Sequence, residues 1–181
     1  MTCFAFNGQA QKIVVKADRE LGTDFGSYKT FAWASHVGTE SKSELYFLHD
    51  LTFKAEVRKA VEHELQGLGY RVKTDAPDLL VNFRVFDQTA KIKGYEGYGQ
   101  GYWGDKEYRQ ASDTATYTVA PGTLLVSLVD QKQGVMVWQG FASGLIKGDA
   151  FLKDEQKIKE AVSLIFTKFG MRATDYDRSS R

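Results

Sequence analysis

The chain has 181 residues, of which 43% are apolar and 26% are charged, a balance typical of an ordinary globular domain. Its 24 Lys and Arg against 23 Asp and Glu give a formal net charge of +1, which leaves no basic surplus for nucleic-acid binding. Cys3 is the only cysteine, which excludes a disulfide within the chain. These bounds predict a single domain that buries a core without disulfides or metals.

The first ten residues resemble the end of a secretory signal. Residues 1–6 are mostly apolar, and the small-x-small pattern Gly8-Gln9-Ala10 follows them. We expect removal of residues 1–10, with a disordered N-terminus of no targeting role as the alternative. Acylation of Cys3, as in a lipoprotein, is a weaker alternative that would add a lipid anchor. No apolar run in the sequence is long enough to span a bilayer.

The chain then predicts two strands and a helix. Residues 12–18 and 28–34 alternate in polarity as strands do. Residues 50–69 predict a helix with Asp50 as its N-cap and Gly69 at its end. Apolar side chains recur along one face of this helix at Phe53, Val57, Val61, Leu65 and Leu68.

A short strand over residues 70–72 and a stronger one over residues 78–87 follow the helix. A turn separates them, because Pro77 fixes its own φ and excludes the helical region for the residue before it. Alternation along the second strand places Asn82 and Arg84 on the wetter face of the sheet.

Residues 94–105 break every periodicity because glycine and aromatic residues are interleaved there. Residues 112–118 predict a further strand. Residues 122–144 predict a β-hairpin, since two arms of β-branched and aromatic residues flank the polar connection at residues 130–134. A second amphipathic helix is expected over residues 153–169.

The order of these elements predicts an α+β fold: a single, mostly antiparallel sheet with two amphipathic helices packed on one face. Gly170 ends the second helix in the usual position for a left-handed cap. We expect one domain over residues 11–170 and a frayed tail over residues 171–181.

Four motifs occur in order along the chain. They are Asp-Phe-Gly-Ser-Tyr-Lys-Thr-Phe-Ala-Trp at residues 24–33, Leu-Gly-Tyr at 68–70, Pro-Asp-Leu-Leu-Val at 77–81 and Trp-Gln-Gly-Phe-Ala-Ser-Gly at 138–144. Together they resemble the uncharacterised bacterial envelope family known as domain of unknown function 4136. The resemblance spans residues 23–169 and implies export to the bacterial periplasm or outer membrane, often as a lipoprotein. It implies no catalytic residues.

Two positions depart from the family pattern: Ser127 stands where an Asp is expected, and Gln139 where an Arg is commoner. Residues 91–117 do not align with the family, so the resemblance implies nothing for them.

The residue patterns predict no metal site and no cofactor. His36, His49 and His63 do not pair at the spacing of metal ligands, and no serine lies in a nucleophile elbow. Asp24 and Asp78 precede strands, where a carboxylate accepts hydrogen bonds from backbone amides, so we expect them to cap turns.

The aromatic residues of the glycine-rich segment are the candidate binding residues: Tyr95, Tyr98, Tyr102 and Trp103. Their rings suit stacking on a sugar or wrapping a peptide, although such a segment also occurs as an insertion whose aromatics fold back on the sheet. Trp33 and Trp138 are expected in the core instead, because each lies in a predicted strand.

The sequence therefore favours a non-enzymatic binding or structural module that meets an unidentified envelope protein or polymer. The alternative is an envelope hydrolase that uses a carboxylate pair. Its acids would come from Asp87, Asp105, Glu107 and Asp130.

Overall fold

The computed structural model describes residues 14–20, 22–34, 51–86, 88–95, 114–143 and 154–173. Within these ranges the chain forms eight strands, two α-helices and one short 3₁₀ helix, Phe25–Ser27. In chain order the elements are β1 (Val14–Arg19), β2 (Thr30–Trp33), α1 (Leu51–Gly67), β3 (Arg71–Val72), β4 (Leu79–Phe86), β5 (Ala90–Tyr95), β6 (Thr114–Val119), β7 (Thr123–Asp130), β8 (Val135–Ser143) and α2 (Glu155–Phe166).

Six of the described strands form one sheet in the order β1-β8-β7-β4-β2-β3, and β5 pairs with β6 in a second sheet. β2 runs parallel to β3 and to β4, whereas the other neighbours are antiparallel. The predicted α+β class is confirmed. The expected single sheet is replaced by two, because β5 and β6 pair with each other and with none of the other described strands. The large sheet is mixed, because β2 and β4 lie on either side of α1 in the chain and meet in parallel.

Apolar residues at alternate positions of β4 and β7 form the sheet side of the larger core. Every second residue of these strands is buried against the inner stripes of the helices, as a period of two requires of a strand with one face inward. The cluster joins both helices to the large sheet and includes Leu79, Val81, Phe83, Leu124, Val126, Leu128, Val57, Val61, Leu65, Ile158, Val162 and Ile165.

Trp138 lies in this larger core, as the sequence predicts. Its side chain is 1% exposed, and its ring centroid lies 5.7 Å from that of Phe166 and 5.0 Å from that of Phe169. Trp33 is only partly buried: its ring meets Phe83, and its Nε1 donates a hydrogen bond of 2.6 Å to Glu62 Oε1.

The small sheet lies across the opposite side of the large sheet, which we call the far face. Leu125 and Phe141 project there, because they alternate with residues of the helix-facing core. Ile92 of β5 and Val119 of β6 pack on them in a second buried cluster, with Phe86. The small sheet corrects the prediction that residues 94–105 are irregular throughout, because Gly94 and Tyr95 belong to β5.

The helix ends follow local chemistry. Asp154 caps α2, since its Oδ1 accepts hydrogen bonds from the backbone N of Gln156 and Lys157. Gly170 has a φ of +67°, which confirms the left-handed position expected after the second helix. Asp50, the expected cap of the first helix, lies outside the described residues. Neither described helix is long and apolar enough to cross a membrane.

Candidate functional site

Both aspartates that were predicted to cap turns accept hydrogen bonds from backbone amides. Asp24 Oδ1 accepts a hydrogen bond of 3.1 Å from Gly26 N at the start of the 3₁₀ helix. Asp78 Oδ2 accepts bonds from the backbone N of Lys29 and of Thr30 and from Thr30 Oγ1, at 2.7–2.9 Å. The capping prediction is confirmed for both residues, and Asp78 ties the start of β2 to the start of β4.

This setting changes the acidity of Asp78. Burial of its carboxylate works to raise the pKa, but the hydrogen bonds from Thr30 and Lys29 and the charge of Lys73 outweigh it. The pKa of Asp78 therefore lies below its ordinary value, and the carboxylate is ionised when it holds the two strands together.

Asp130, one of the four acids of the hydrolase alternative, also has a structural role. It is 5% exposed, its Oδ2 accepts a hydrogen bond of 2.8 Å from the Tyr28 hydroxyl, and its Oδ1 accepts one of 2.7 Å from Gln133 N. Burial and this hydrogen bond raise the pKa of Tyr28. The remaining candidates, Asp87, Asp105 and Glu107, lie outside the described residues.

Of the four candidate aromatic residues, Tyr95 alone lies in the part of the chain that the structure describes. Tyr95 is the last residue of β5 and pairs with Thr114, the first residue of β6. Tyr98, Tyr102 and Trp103 lie outside the described residues. Residues 96–113 therefore connect the two strands of the small sheet.

A cleft of about 360 Å³ lies along the first strand, and we call it the β1-edge cleft. Seven residues line it: Val15, Lys16, Ala17, Asp18, Tyr117, Trp138 and Lys168. Since β1 is the last strand of the large sheet on its side, the cleft opens at the sheet edge. Its volume lies at the small end of the range of about 300–1,000 Å³ common for ligand pockets.

The exposed charges of the β1-edge cleft are both positive. Lys16 and Lys168 are exposed, whereas Asp18 is 1% exposed. Lys16 Nζ lies 5.9 Å from the centre of the Tyr117 ring, within the range of a cation–π contact. The cleft therefore presents cationic groups to solvent beside a half-buried aromatic ring, which suits an anionic or carboxylate-bearing ligand.

A row of polar side chains crosses the far face and ends at the β1-edge cleft. Asn82 of β4 lies opposite Ser127 of β7, which lies opposite Gln139 of β8, which in turn lies opposite Asp18 of β1. Asn82 Oδ1 is buried and has no hydrogen-bond partner among the described residues. The strand prediction placed Asn82 on the wetter face, and the structure shows it half-buried.

A second groove, of about 580 Å³, lies between α1 and α2. The charged residues that line it have both signs: Lys59 and Lys159 lie with Glu64 and Glu160. Glu155 lies beside the groove, and its Oε1 is 2.5 Å from Lys159 Nζ and 3.5 Å from Lys59 Nζ. Hydrogen bonding and attraction between Glu155 and Lys159 lower the pKa of the acid and raise that of the base. His63 lines the groove, and the described residues hold no group of three or more metal-binding side chains.

Sequence reasoning missed the β1-edge cleft. Tyr117 and Lys168 come to it from β6 and from the turn after α2. No spacing in the sequence links positions so far apart. The one available signal is that the first predicted strand carries lysine among its apolar residues, as edge strands often do.

The fold is that of an α+β protein with a mixed sheet, two helices and a small second sheet. It is similar to the crystal structure of a DUF4136 family protein from Bacteroides thetaiotaomicron, with a TM-score of 0.59 and 20% identity over 87% of this chain and 95% of that one. The model of the family described as "Domain of unknown function (DUF4136)" matches residues 14–169. The chain therefore belongs to the DUF4136 family, which confirms the resemblance in its motifs.

Two further solved structures are similar at lower scores. A PDZ domain protein from Parabacteroides distasonis matches with a TM-score of 0.45 and 21% identity over 88% of this chain and 36% of that one. A PelC dodecamer from Paraburkholderia phytofirmans matches with a TM-score of 0.43 and 11% identity over 89% of this chain and 99% of that one. No curated protein sequence matches the chain.

Proposed function

We propose that the protein is a non-enzymatic binding module of the bacterial cell envelope and that it binds its partner at the β1-edge cleft. The observation that carries this proposal is the cleft itself. It combines an edge strand, a half-buried tyrosine and two exposed lysines, Lys16 and Lys168, in one opening. Two acids of the described chain, Asp78 and Asp130, are occupied in joining strands and turns.

Export is the second part of the proposal. Its support is the small-x-small pattern that ends at Ala10, before the first strand. N-terminal sequencing of protein recovered from its native host should find residues 1–10 removed. Native protein that retains Met1 would contradict this route to the envelope.

The aromatic residues Tyr95, Tyr98, Tyr102 and Trp103 belong to the proposed binding surface. Residues 96–113 join β6 at Thr114, three residues before Tyr117 of the cleft. Three residues of strand span about 10 Å. The segment is therefore long enough for its aromatic side chains to reach a partner seated in the cleft.

The test is retention of the purified protein on envelope material. Deletion of residues 96–103 removes three of the four aromatics and leaves the described strands intact, since β5 ends at Tyr95. We expect the deletion variant to keep its circular dichroism spectrum and melting temperature and to lose retention. A folded deletion variant that is retained as well as the wild type would exclude these residues from the binding surface.

The cleft has its own test. Replacing both lysines, Lys16→Glu and Lys168→Glu, reverses the exposed charge of the opening. We expect retention to fall strongly. Lys132→Glu is the control for either single substitution, Lys16→Glu or Lys168→Glu, because it makes the same change of charge at an exposed turn residue between β7 and β8 that does not line the cleft. Equal losses in the single cleft variants and in this control would show that retention depends on net charge alone.

A further inference from the structure

The backbone of β1 has one side bonded to β8 and one side directed outward. In an antiparallel pair, hydrogen-bonded residue pairs alternate with pairs whose N–H and C=O groups point away from the partner. Glu20 N donates to Val137 O at 2.9 Å, which fixes the phase of the pairing. The pairs at Asp18 and Lys16 are therefore bonded to β8, and the backbone groups of Val15 and Ala17 point away from it.

Val15 and Ala17, whose backbone groups point away from β8, both line the β1-edge cleft. Of the described strands, β8 is the only one that pairs with β1. An extended segment laid along β1 would thus meet a row of backbone donors and acceptors, beside an opening that can take one of its side chains. Strand addition of this kind draws affinity from main-chain hydrogen bonds and specificity from such a pocket.

From this arrangement we propose that the partner of the β1-edge cleft is an extended, acidic polypeptide segment that adds a strand to β1. This inference rests on the proposed binding function and names its partner. The charge of the cleft selects the segment: Lys16 and Lys168 are the exposed charges at the opening, and Asp18 is buried. Glutamate or aspartate at alternate positions shares one face of the added strand, so on the far face these acids would meet Lys16, which lies over Tyr117 of the small sheet.

Proline scanning separates the two edges of β1. Ala17→Pro removes the outward N–H that an added strand would use, and β8 loses no bond from it, since proline is tolerated on edge strands where the N–H faces away from the sheet. Ala17 is also close in size to proline. Asp18→Pro is the contrast, because it removes an N–H that bonds to β8 and should destabilise the fold.

The probe is a short synthetic peptide, blocked at both ends, in which glutamate alternates with threonine and valine. Its counterpart carries lysine at each glutamate position. We expect the acidic peptide to bind the wild-type protein, the lysine peptide to bind at least about tenfold more weakly, and Ala17→Pro to weaken the acidic peptide by about tenfold. Lys16→Glu with Lys168→Glu should weaken it similarly, while Lys132→Glu should leave it unchanged.

Amide hydrogen exchange in the wild type decides the inference even if Ala17→Pro fails to fold. In the free protein the Val15 and Ala17 amides should exchange faster than those of Lys16 and Asp18, and the acidic peptide should slow them. Slow exchange at Val15 and Ala17 in the free monomer would show that another segment of this chain already covers the edge, and would overturn the proposal.

Three other results would also overturn it. One is equal binding of the acidic peptide to the wild type and a folded Ala17→Pro variant, and another is no binding at peptide concentrations up to about 1 mM. A third is a dimer that Ala17→Pro converts to a monomer, which would assign the edge to a second copy. Retention on envelope material tests the proposed function separately: if retention persists while the peptide fails, the strand-addition inference alone is wrong.

Discussion

The indole ring of Trp138 lies over the backbone of Gly140, two residues further along β8. A Cβ built on Gly140 would lie 2.5 Å from Trp138 Cη2 and 2.8 Å from Cγ2 of Ile165 on α2. Both distances are far below van der Waals contact. The absence of a side chain at Gly140 thus lets the indole pack between β8 and α2, which gives a physical reason for the Trp-x-Gly spacing in the hairpin motif.

The first prediction follows from this contact. Gly140→Ala should lower the free energy of unfolding by about 1–3 kcal/mol, because the new methyl group forces the indole or α2 to move within a packed core. Urea denaturation of the purified variant measures the change.

Gly67→Ala is the matched control for that substitution. A Cβ at Gly67 has no heavy atom within 4 Å, and the residue ends α1. Alanine favours the helix by up to about 1 kcal/mol over glycine, so Gly67→Ala should be neutral or stabilising. Equal losses of stability at the two positions would show that the Trp138 contact is not the cause.

The second prediction concerns the ring itself. Trp138→Ala should cost about 3–5 kcal/mol, because it empties a site enclosed by Phe166, Phe169 and the sheet. Trp33→Ala should cost less, since Trp33 is only partly buried. An unchanged melting temperature for Trp138→Ala would show that its side chain is not part of the core.

Local patterns were enough to predict the elements that carry their own signals. The hairpin of β7 and β8 has alternating apolar arms and a turn glycine, Gly134, whose φ of +69° suits glycine. The two helices carry apolar stripes, and glycines lie near their C-terminal ends. In the structure each helix ends two or three residues earlier than the sequence predicts. In each case the residues that specify the strand or helix lie within it or directly beside it.

Pairings between distant segments were not predictable in the same way. β5 reads Ala-Lys-Ile-Lys-Gly-Tyr, which has only one large aliphatic residue, and its partner β6 lies beyond residues 96–113. The parallel contact of β2 with β4 joins segments on either side of α1. The β1-edge cleft depends on both the sheet order and the position of the small sheet, so its only signal in the sequence is the lysine among the apolar residues of the first strand.

The third prediction is a pH dependence at Asp78. Its folded-state pKa lies below the ordinary value of 3.8, so the unfolded chain takes up the proton first as the pH falls. The stability advantage of the wild type over Asp78→Asn should be complete at neutral pH and should disappear below pH 3.8, as the folded-state carboxyl is protonated. Thermal unfolding of both proteins across the acid range measures it.

Asp75→Asn controls for loss of negative charge, since Asp75 is an exposed acid of the same turn. At neutral pH it should have nearly the stability of the wild type, because its side chain is exposed. If Asp78→Asn also tracks the wild type, the hydrogen bonds from Lys29 and Thr30 do not depend on the ionised carboxylate.

The fourth prediction applies at the opposite end of the pH scale. Tyr28→Phe removes the hydroxyl that donates to buried Asp130 and should cost about 1–3 kcal/mol at neutral pH. The pKa of Tyr28 is raised above its ordinary value of 10.0, so above that pH the unfolded chain loses the proton that the folded chain keeps. The advantage of the wild type should therefore shrink as the pH rises above 10; an advantage that grows instead would contradict the contact.

The fifth prediction uses the two departures from the family pattern. Ser127 and Gln139 lie directly opposite each other across β7 and β8, and Asp18 lies on the other side of Gln139. The residues expected from the family pattern are an acid and an arginine, which would face each other in this register. The two departures thus occupy one cross-strand pair.

A double-mutant cycle tests this pairing. Ser127→Asp alone should destabilise the fold, because it places an unpaired carboxylate at a half-buried position. Adding Gln139→Arg should recover stability, with a coupling free energy of about 0.5–3 kcal/mol between the two substitutions. Combining Ser127→Asp with Gln131→Arg, in the exposed turn, is the control and should be additive. If the effects of the Ser127 and Gln139 substitutions on the free energy of unfolding are additive within about 0.5 kcal/mol, the two side chains do not contact each other on the far face.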